Sequence, residues 1–346
     1  MPIGLAFRIL ALLATSTTPP RDTVVTSIRV DSARHEIVLT SGPWRRASMG
    51  HGAVMGMDMA HHVAAATTFS WSVDGWVRSL RFRARTRDGH EVPRSALHHL
   101  AMVNLARRDL FYQIPERMFE MGSETADIVL PGSIAIPVNA GMPMALTIAW
   151  GADDYDATAD VTVELTMDWW PADTRARPIT VYPVTMQVMT LAGETSFDLP
   201  PGASRRSTLY PVPLAGRILA AGGHLHDLGT EISLRDISLA GSEPVLSLAS
   251  QHDAAGHVTG IERVLSGAKG AGIPIYAGHR YQFEGRYFNP NVNTVAEGGM
   301  AFLVLLIAPE RAGNWPQADP EAASWQMFLT RIGIKVASAT PAERSL

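Results

Sequence analysis

TTFSWSVDGWVRSLRFRARTRDG, residues 67–89, alternates aromatic or aliphatic residues with polar ones and is interrupted by the dipeptides Asp74-Gly75 and Asp88-Gly89. Alternation with period two is typical of a half-buried β-strand, and Asp-Gly is typical of a turn between two strands. Short runs rich in β-branched residues recur along the chain between closely spaced prolines and glycines. Long amphipathic helical patterns are missing, and PERMFEMG, residues 115–122, is predicted to form at most two helical turns. The sequence therefore predicts an all-β fold of antiparallel β-sandwiches.

The length of the chain, 346 residues, favours two domains over one. A polar, proline-bounded break, WWPADTRARP at residues 169–178, lies near the middle. We therefore predict two tandem antiparallel, jelly-roll-like β-sandwich domains, over residues 28–170 and 178–310. The remaining residues, 311–346, form a predicted polar tail with a short helix over residues 324–336.

The composition limits the classes of function. Hydrophobic residues make up 46% of the chain and charged residues 18%, which is typical of a globular protein. The net charge of −4 favours neither nucleic acid nor an anionic membrane surface as a partner. Because the chain has no cysteine, it has no disulfide framework, no thiolate nucleophile and no zinc site built from thiolates.

The N-terminus resembles a short secretory signal. An apolar core, Ile9 to Ala14, follows Arg8 and is followed by small residues and two prolines. We interpret residues 1–27 as a candidate leader and predict a secreted, periplasmic or otherwise extracytoplasmic location. A frayed segment or a wrongly chosen start codon is the alternative. No other stretch has 18 consecutive apolar residues, so no membrane span is predicted.

Two histidines lie two positions apart in YPVPLAGRILAAGGHLHDLG, residues 210–229. Side chains at i and i+2 of a strand share a face, so His224 and His226 would present both imidazoles to one metal ion. The alternative is a plain histidine pair at the rim of a half-exposed sheet.

A second histidine pair, His98-His99, lies in the first half of the chain. Adjacent strand residues face opposite sides, so these two reach one metal only where the backbone bends. Met300 follows Gly298-Gly299 at the start of an apolar strand. A thioether beside two imidazoles suits copper, particularly Cu(I), although core packing is the alternative for a strand methionine.

These residues, in this order, resemble the copper type II, ascorbate-dependent monooxygenase family. The resemblance spans residues 97–307 and includes His98-His99, Pro200-Pro201-Gly202, Tyr210-Pro211, His224-Leu225-His226-Asp227-Leu228-Gly229 and Met300. It implies two β-sandwich domains, each supplying one copper site. It also implies a catalytic copper on His224, His226 and Met300, an electron-supplying copper on His98 and His99, and an external reductant as partner.

The chain departs from the family pattern in the first site. The family completes that site with a third histidine, and the corresponding position here is Ala149. No histidine occurs between His99 and His224, and residues 301–304 are apolar where the family carries groups that help to hold substrate. One copper site is therefore expected, and the second is in doubt.

MGHGAVMGMDMAHH, residues 49–62, is dense in potential copper ligands. It resembles methionine- and histidine-rich stretches of extracytoplasmic copper-handling proteins. The stretch either lends a histidine to the site of His98-His99 or collects Cu(I) separately, unless its composition is accidental. Its candidate ligands are Met49, His51, Met55, Met57, Met59, His61 and His62.

Three functional hypotheses follow. The first is a copper-dependent monooxygenase that hydroxylates a small organic substrate with O2 and an external reductant. The second is a non-catalytic, extracytoplasmic copper-binding or copper-transfer protein on the same fold, whose partner is a copper donor or acceptor. The third is a purely structural pair of sandwiches.

Overall fold

A computed structural model describes residues 24–45, 66–150, 160–189, 196–254, 256–266, 271–311, 313 and 315–334. Within these residues the chain forms 24 strands, one α-helix and one 3-10 turn (Arg94–Ala96), and the strands and the α-helix are numbered here in chain order. The prediction of an all-β fold of antiparallel sandwiches is confirmed. The candidate leader up to residue 23 and the ligand-rich stretch 49–62 lie outside the described residues.

The first sandwich consists of an eight-stranded and a four-stranded sheet. Large apolar side chains such as Trp44, Trp71 and Leu100 fill the space between them. The eight-stranded sheet contains β1 (Val25–Asp31), β2 (Glu36–Arg45), β4 (Gly75–Val77), β5 (Ser79–Thr86), β8 (Ile128–Val129), β9 (Ile134–Val138), β11 (Asp160–Pro171) and β12 (Ile179–Thr180). The four-stranded sheet has the order β3 (Thr67–Ser70), β10 (Pro143–Trp150), β6 (Leu97–Arg108) and β7 (Pro115–Met121).

The second sandwich has two five-stranded sheets and a two-stranded ribbon around Tyr281, Phe283 and Tyr287. One sheet contains β13 (Tyr182–Gln187), β16 (Gly216–Leu225), β20 (Val264–Leu265), β21 (Ile273–Ile275) and β24 (Ala301–Pro309). The other contains β15 (Gly202–Pro211), β17 (Gly229–Asp236), β18 (Pro244–His252), β19 (Val258–Ile261) and β22 (Arg280–Asn289). The ribbon is β14 (Phe197–Leu199) with β23 (Val295–Gly299).

The helical interpretation of residues 115–122 was wrong. This segment is β7, which pairs antiparallel with β6 and is buried at six of its seven positions. A seven-residue segment is too short for periodicity to separate a strand from two helical turns, and pairing with β6 decides between them.

The segment after the second sandwich packs back onto the first. Helix α1 (Ala323–Arg331) begins one residue before the predicted range 324–336 and ends within it. Ile332, just beyond the helix, packs against Val103 and Ala145 of the four-stranded sheet, and its carbonyl accepts a hydrogen bond from Ala66 N–H at 3.1 Å. None of the helices in the described residues is long and apolar enough to span a bilayer.

The two sandwiches meet through the outer face of the four-stranded sheet and the outer face of the sheet that holds β16 and β24. Alternation along β24 shows this: Leu303 and Leu305 belong to the second core, whereas Leu306 packs into the first. Hydrogen bonds cross the contact, including one from Thr185 Oγ1 to Glu120 Oε2 at 2.6 Å. The histidine pairs lie at this contact.

Candidate metal centre

His98 and His99 lie at the start of β6, at a β-bulge. Ala149 on β10 pairs with His99 and the next residue, Trp150, pairs with Leu97, so His98 is the extra residue on β6. A bulge bends the strand and redirects its side chains. The centroids of the two rings are 4.0 Å apart. The bulge thus supplies the bend that adjacent histidines need in order to share a metal.

His224 and His226 lie at the end of β16. His224 pairs with Phe302 of β24, and His226 continues the ladder by donating its backbone N–H to the Met300 carbonyl at 3.3 Å. The alternation of the strand therefore holds through both histidines, and their ring centroids are 5.3 Å apart.

The two histidine pairs form one cluster at the contact between the sandwiches. The ring centroids of His99 and His224 are 4.9 Å apart, and those of His98 and His226 are 6.0 Å apart. This differs from the expectation of one site in each sandwich. The reason is that each pair lies on an outer sheet face, and the two faces are packed against each other.

Ligand atoms of His98, His99 and His226 lie within 4.8 Å of one another. Three nitrogens bound to one ion at about 2.0–2.1 Å are about 3.4–3.6 Å from one another, so binding would draw these atoms together by up to about 1.4 Å. Such a shift is within the reach of a small change in the side-chain torsions. His226 of the second sandwich thus completes a set of three that the first sandwich lacks by itself.

The imidazoles have the protonation and free lone pairs that a metal requires. The Nε2 atoms of His99, His224 and His226 are buried and have no hydrogen-bond partner in the described part of the chain. Buried nitrogens of this kind are normally satisfied, so these three are available to a ligand. Burial, reinforced by the neighbouring imidazoles, holds the pKa of His99 and of His226 well below the usual range and keeps both rings neutral.

Glu124 holds His224 from the opposite sandwich. Its Oε1 lies 2.8 Å from His224 Nδ1, and its side chain is only 5% exposed. Burial by itself would raise the pKa of Glu124, but His224 and the hydrogen bond between them lower it below its usual range. A carboxylate that holds the Nδ1 proton leaves the Nε2 lone pair available, as in carboxylate–histidine–metal arrangements.

Met300 is fully buried, and its carbonyl accepts the backbone N–H of His226 at 3.3 Å, one position beyond the last paired residues, Leu225 and Ala301. Opposite residues of antiparallel strands share a face, so the thioether and the imidazole belong to the same side of the sheet. Met300 also belongs to none of the apolar core clusters found among the described residues. This placement is compatible with a role at the cluster and with core packing.

Ala149, the position at which the resemblance implies a third histidine, lies beside His99. It pairs with His99 across β6 and β10 and lines the space next to the cluster. The candidate ligands among residues 49–62, namely His51, His61, His62, Met49, Met55, Met57 and Met59, lie outside the described residues.

A cleft of about 280 Å³ adjoins the cluster between the two sandwiches. His99 and Ala149 line it from the first sandwich, and His224 and Phe302 line it from the second. Phe302 lies 5.5 Å from His224 and 6.3 Å from His99, centroid to centroid, so its ring adjoins both imidazoles in the wall of the cleft.

Sequence reasoning missed Glu124 and the cleft. Glu124 is in a short polar loop after β7, 100 positions before His224, and no local pattern connects the two. The cleft has a weak signal in the run of small residues before His224, Ala220-Ala221-Gly222-Gly223.

Comparisons with known proteins leave the function open. No protein-family model matches the chain, and no curated protein matches it. Among solved structures, the major capsid protein P2 from Bacteriophage PM2 is 10% identical, with 73% of this chain and 95% of that chain covered and a TM-score of 0.32. The cryo-EM structure of Broad Bean Stain Virus is 10% identical over 89% of this chain and 94% of that chain, with a TM-score of 0.30. Similarity at this level carries no functional argument.

Proposed function

We propose that the protein binds one copper ion at the interdomain histidine cluster and hydroxylates a small organic molecule with O2 and an external reductant. The observation that carries the proposal is the convergence of His98 and His99 with His224 and His226 from the other sandwich, beside the cleft. Three imidazoles suit zinc as well as copper, and the thioether of Met300 favours copper.

The residues have separate roles in this proposal. His98, His99 and His226 hold the ion, while His224, kept in one tautomer by Glu124, offers a further nitrogen. Copper, when bound, would supply the one-electron chemistry with O2 that amino-acid side chains lack. The reaction R–H + O2 + 2 e⁻ + 2 H⁺ gives R–OH and H2O, and the external reductant supplies both electrons. The cleft walls would hold the substrate beside the cluster.

Copper binding without catalysis is the second candidate. All four histidines belong to one cluster, which leaves no separate electron-supplying copper site among the described residues. A protein with one copper and no internal electron donor also fits copper storage or transfer.

The test is copper content followed by turnover. We expect purified protein to bind one copper per chain, and His226→Ala to lose it under competition with a chelator. His252→Ala, at an exposed histidine of β18, is the matched control and should keep the copper. Ascorbate-dependent O2 uptake with a hydroxylated product supports the enzyme, and one tight copper without turnover supports the binder. Equal copper in His226→Ala and the unmutated protein would show that the cluster is not the site.

A further inference from the structure

We propose that the cleft beside the histidine cluster binds an uncharged, largely hydrocarbon small molecule. The inference rests on the proposed function only in naming this molecule as the substrate. Binding in the cleft requires no metal, so it can be tested separately.

The cleft exists because both facing sheets carry small residues where they meet. Ala101, Thr147 and Ala149 lie on the outer face of the first sandwich, at the positions that pair across β6 and β10. Ala220 and Gly222 lie opposite on β16. Stacked sheets are about 10 Å apart and are normally filled by interdigitating side chains. Small residues on both sides leave the space of about 280 Å³ unfilled.

The walls of this space are mostly apolar, and the exposed side chains of Arg263 and Arg331 also belong to its lining. Phe302, Val304 and Leu306 alternate along β24 and line the cleft from the second sandwich. Phe302 also contacts the rings of His99 and His224, so a molecule that packs on Phe302 lies next to the imidazoles. A mostly apolar pocket of this size is suited to a small organic ligand rather than to a hydrated ion.

The buried carboxylates that line the cleft already have donors within the protein. Glu124 accepts from His224 Nδ1 at 2.8 Å, and Glu120 pairs with Arg117 at 3.3 Å. A charged ligand would lose its hydration without gaining an unpaired counter-charge, which favours an uncharged one. Arg117 Nε and Nη2 have no acceptor among the described residues, and these donors would suit an anion. The experiment therefore compares an uncharged ligand with an anionic one.

The experiment uses two fluorescent probes with the same aromatic skeleton. N-phenyl-1-naphthylamine is uncharged, and 1-anilinonaphthalene-8-sulfonate carries a sulfonate. We expect saturable binding of the uncharged probe to the full chain, at least tenfold tighter than that of the anionic probe, with and without added copper.

Two filling variants locate the binding site. Gly222→Leu should weaken binding of the uncharged probe at least tenfold, because a Cβ at Gly222 has open space, with only Arg263 Cγ at 3.8 Å, and the longer side chain enters the cleft. Thr147→Leu fills the opposite wall and should act like Gly222→Leu. Thr162→Leu, at an exposed position of β11 outside the cleft, is the matched control for Thr147→Leu and should bind as the unmutated protein does.

The outcomes separate this inference from the copper site. Copper content, measured in each variant, tests the metal alone. If the protein binds the probe but binds no copper, the cleft ligand is supported and the copper centre is ruled out. If the protein binds copper but not the probe, only the cleft ligand is overturned. Tighter binding of the anionic probe, or unchanged binding in both Gly222→Leu and Thr147→Leu, would also overturn it.

Discussion

Glu124 connects the two sandwiches through a single short hydrogen bond to His224. The same oxygen accepts from Thr125 Oγ1 at 3.1 Å, and Thr125 Oγ1 in turn accepts from Gly122 N–H at 3.0 Å. Gly122 leaves room for the carboxylate, since a Cβ there would lie 2.4 Å from Glu124 Oε2. The loop after β7 is thus shaped around this one side chain. We infer that Glu124 is a positioning residue for His224.

Removing the carboxylate should weaken copper binding. We expect Glu124→Ala to reduce copper affinity about 10–100-fold, because His224 loses the acceptor that fixes its tautomer and ring orientation. Glu124→Gln keeps a weaker acceptor and should fall between Glu124→Ala and the unmutated protein. The measurement is competition with a chelator, with exposed Glu243→Ala as control and the unfolding midpoint recorded for each variant. Equal affinity in all four proteins would remove Glu124 from the site.

Strand β16 has two different faces that depend on two adjacent glycines. Gly223 faces the second core, where an added Cβ would lie 2.1 Å from Ile232 Cδ1 and 2.6 Å from the carbonyl oxygen of Phe302. Gly222 faces the cleft, where an added Cβ meets nothing closer than 3.8 Å. Because Gly223 has no side chain, β16 packs closely on β17 and β24. Because Gly222 has none, space for a ligand remains in the cleft.

These two glycines should respond differently to the same substitution. Gly223→Ala should destabilise the protein by about 1–3 kcal/mol, the usual cost of overpacking, because Ile232 and the backbone of Phe302 must move. Gly222→Ala should have little effect or be slightly stabilising, since its backbone keeps an ordinary strand conformation. Denaturant unfolding of the two variants side by side gives the comparison. A larger loss for Gly222→Ala would contradict the assignment of the two faces.

The packing of the two sandwiches also buries charged groups away from the metal cluster. Glu116 of β7 has no exposed surface and accepts from Arg107 at 3.0 Å and from Asn104 Nδ2 at 3.3 Å. Arg107 in turn lies over the ring of Tyr182, at the start of the second sandwich, 5.1 Å from its centroid. Burial raises the pKa of Glu116 to about 7, against the opposing effect of Arg107.

This raised pKa makes the stability of the whole protein depend on pH. Between the ordinary value of 4.5 and about 7, the folded protein holds a proton that the unfolded chain has lost, so stability falls as pH rises through this window. The effect is on the order of 2–3 kcal/mol. Glu116→Gln cannot titrate and should lose less stability between pH 5 and pH 7.5, measured by denaturant unfolding. Exposed Glu243→Gln should follow the unmutated protein, and parallel curves for Glu116→Gln would contradict the prediction.

The chain's local patterns were sufficient for the fold class and for the direction of individual histidines. Period-two alternation predicted strands because successive strand side chains face opposite sides whatever the strand packs against. The same rule placed His224 and His226 on one face and required a bend at His98-His99, where a bulge occurs. Copper, the reductant, the extracytoplasmic location and the hydroxylation reaction stay predictions.

The packing of the sandwiches determined the rest of the site. The sequence around His99 and His226 does not predict which sheet faces pack together, because that packing depends on side chains distributed over both sandwiches. The single cluster, the contact of Glu124 with His224 and the cleft all follow from that meeting of faces. The strand assignment of β7 has the same origin, since its partner β6 supplies the hydrogen bonds that favour an extended backbone over a short helix.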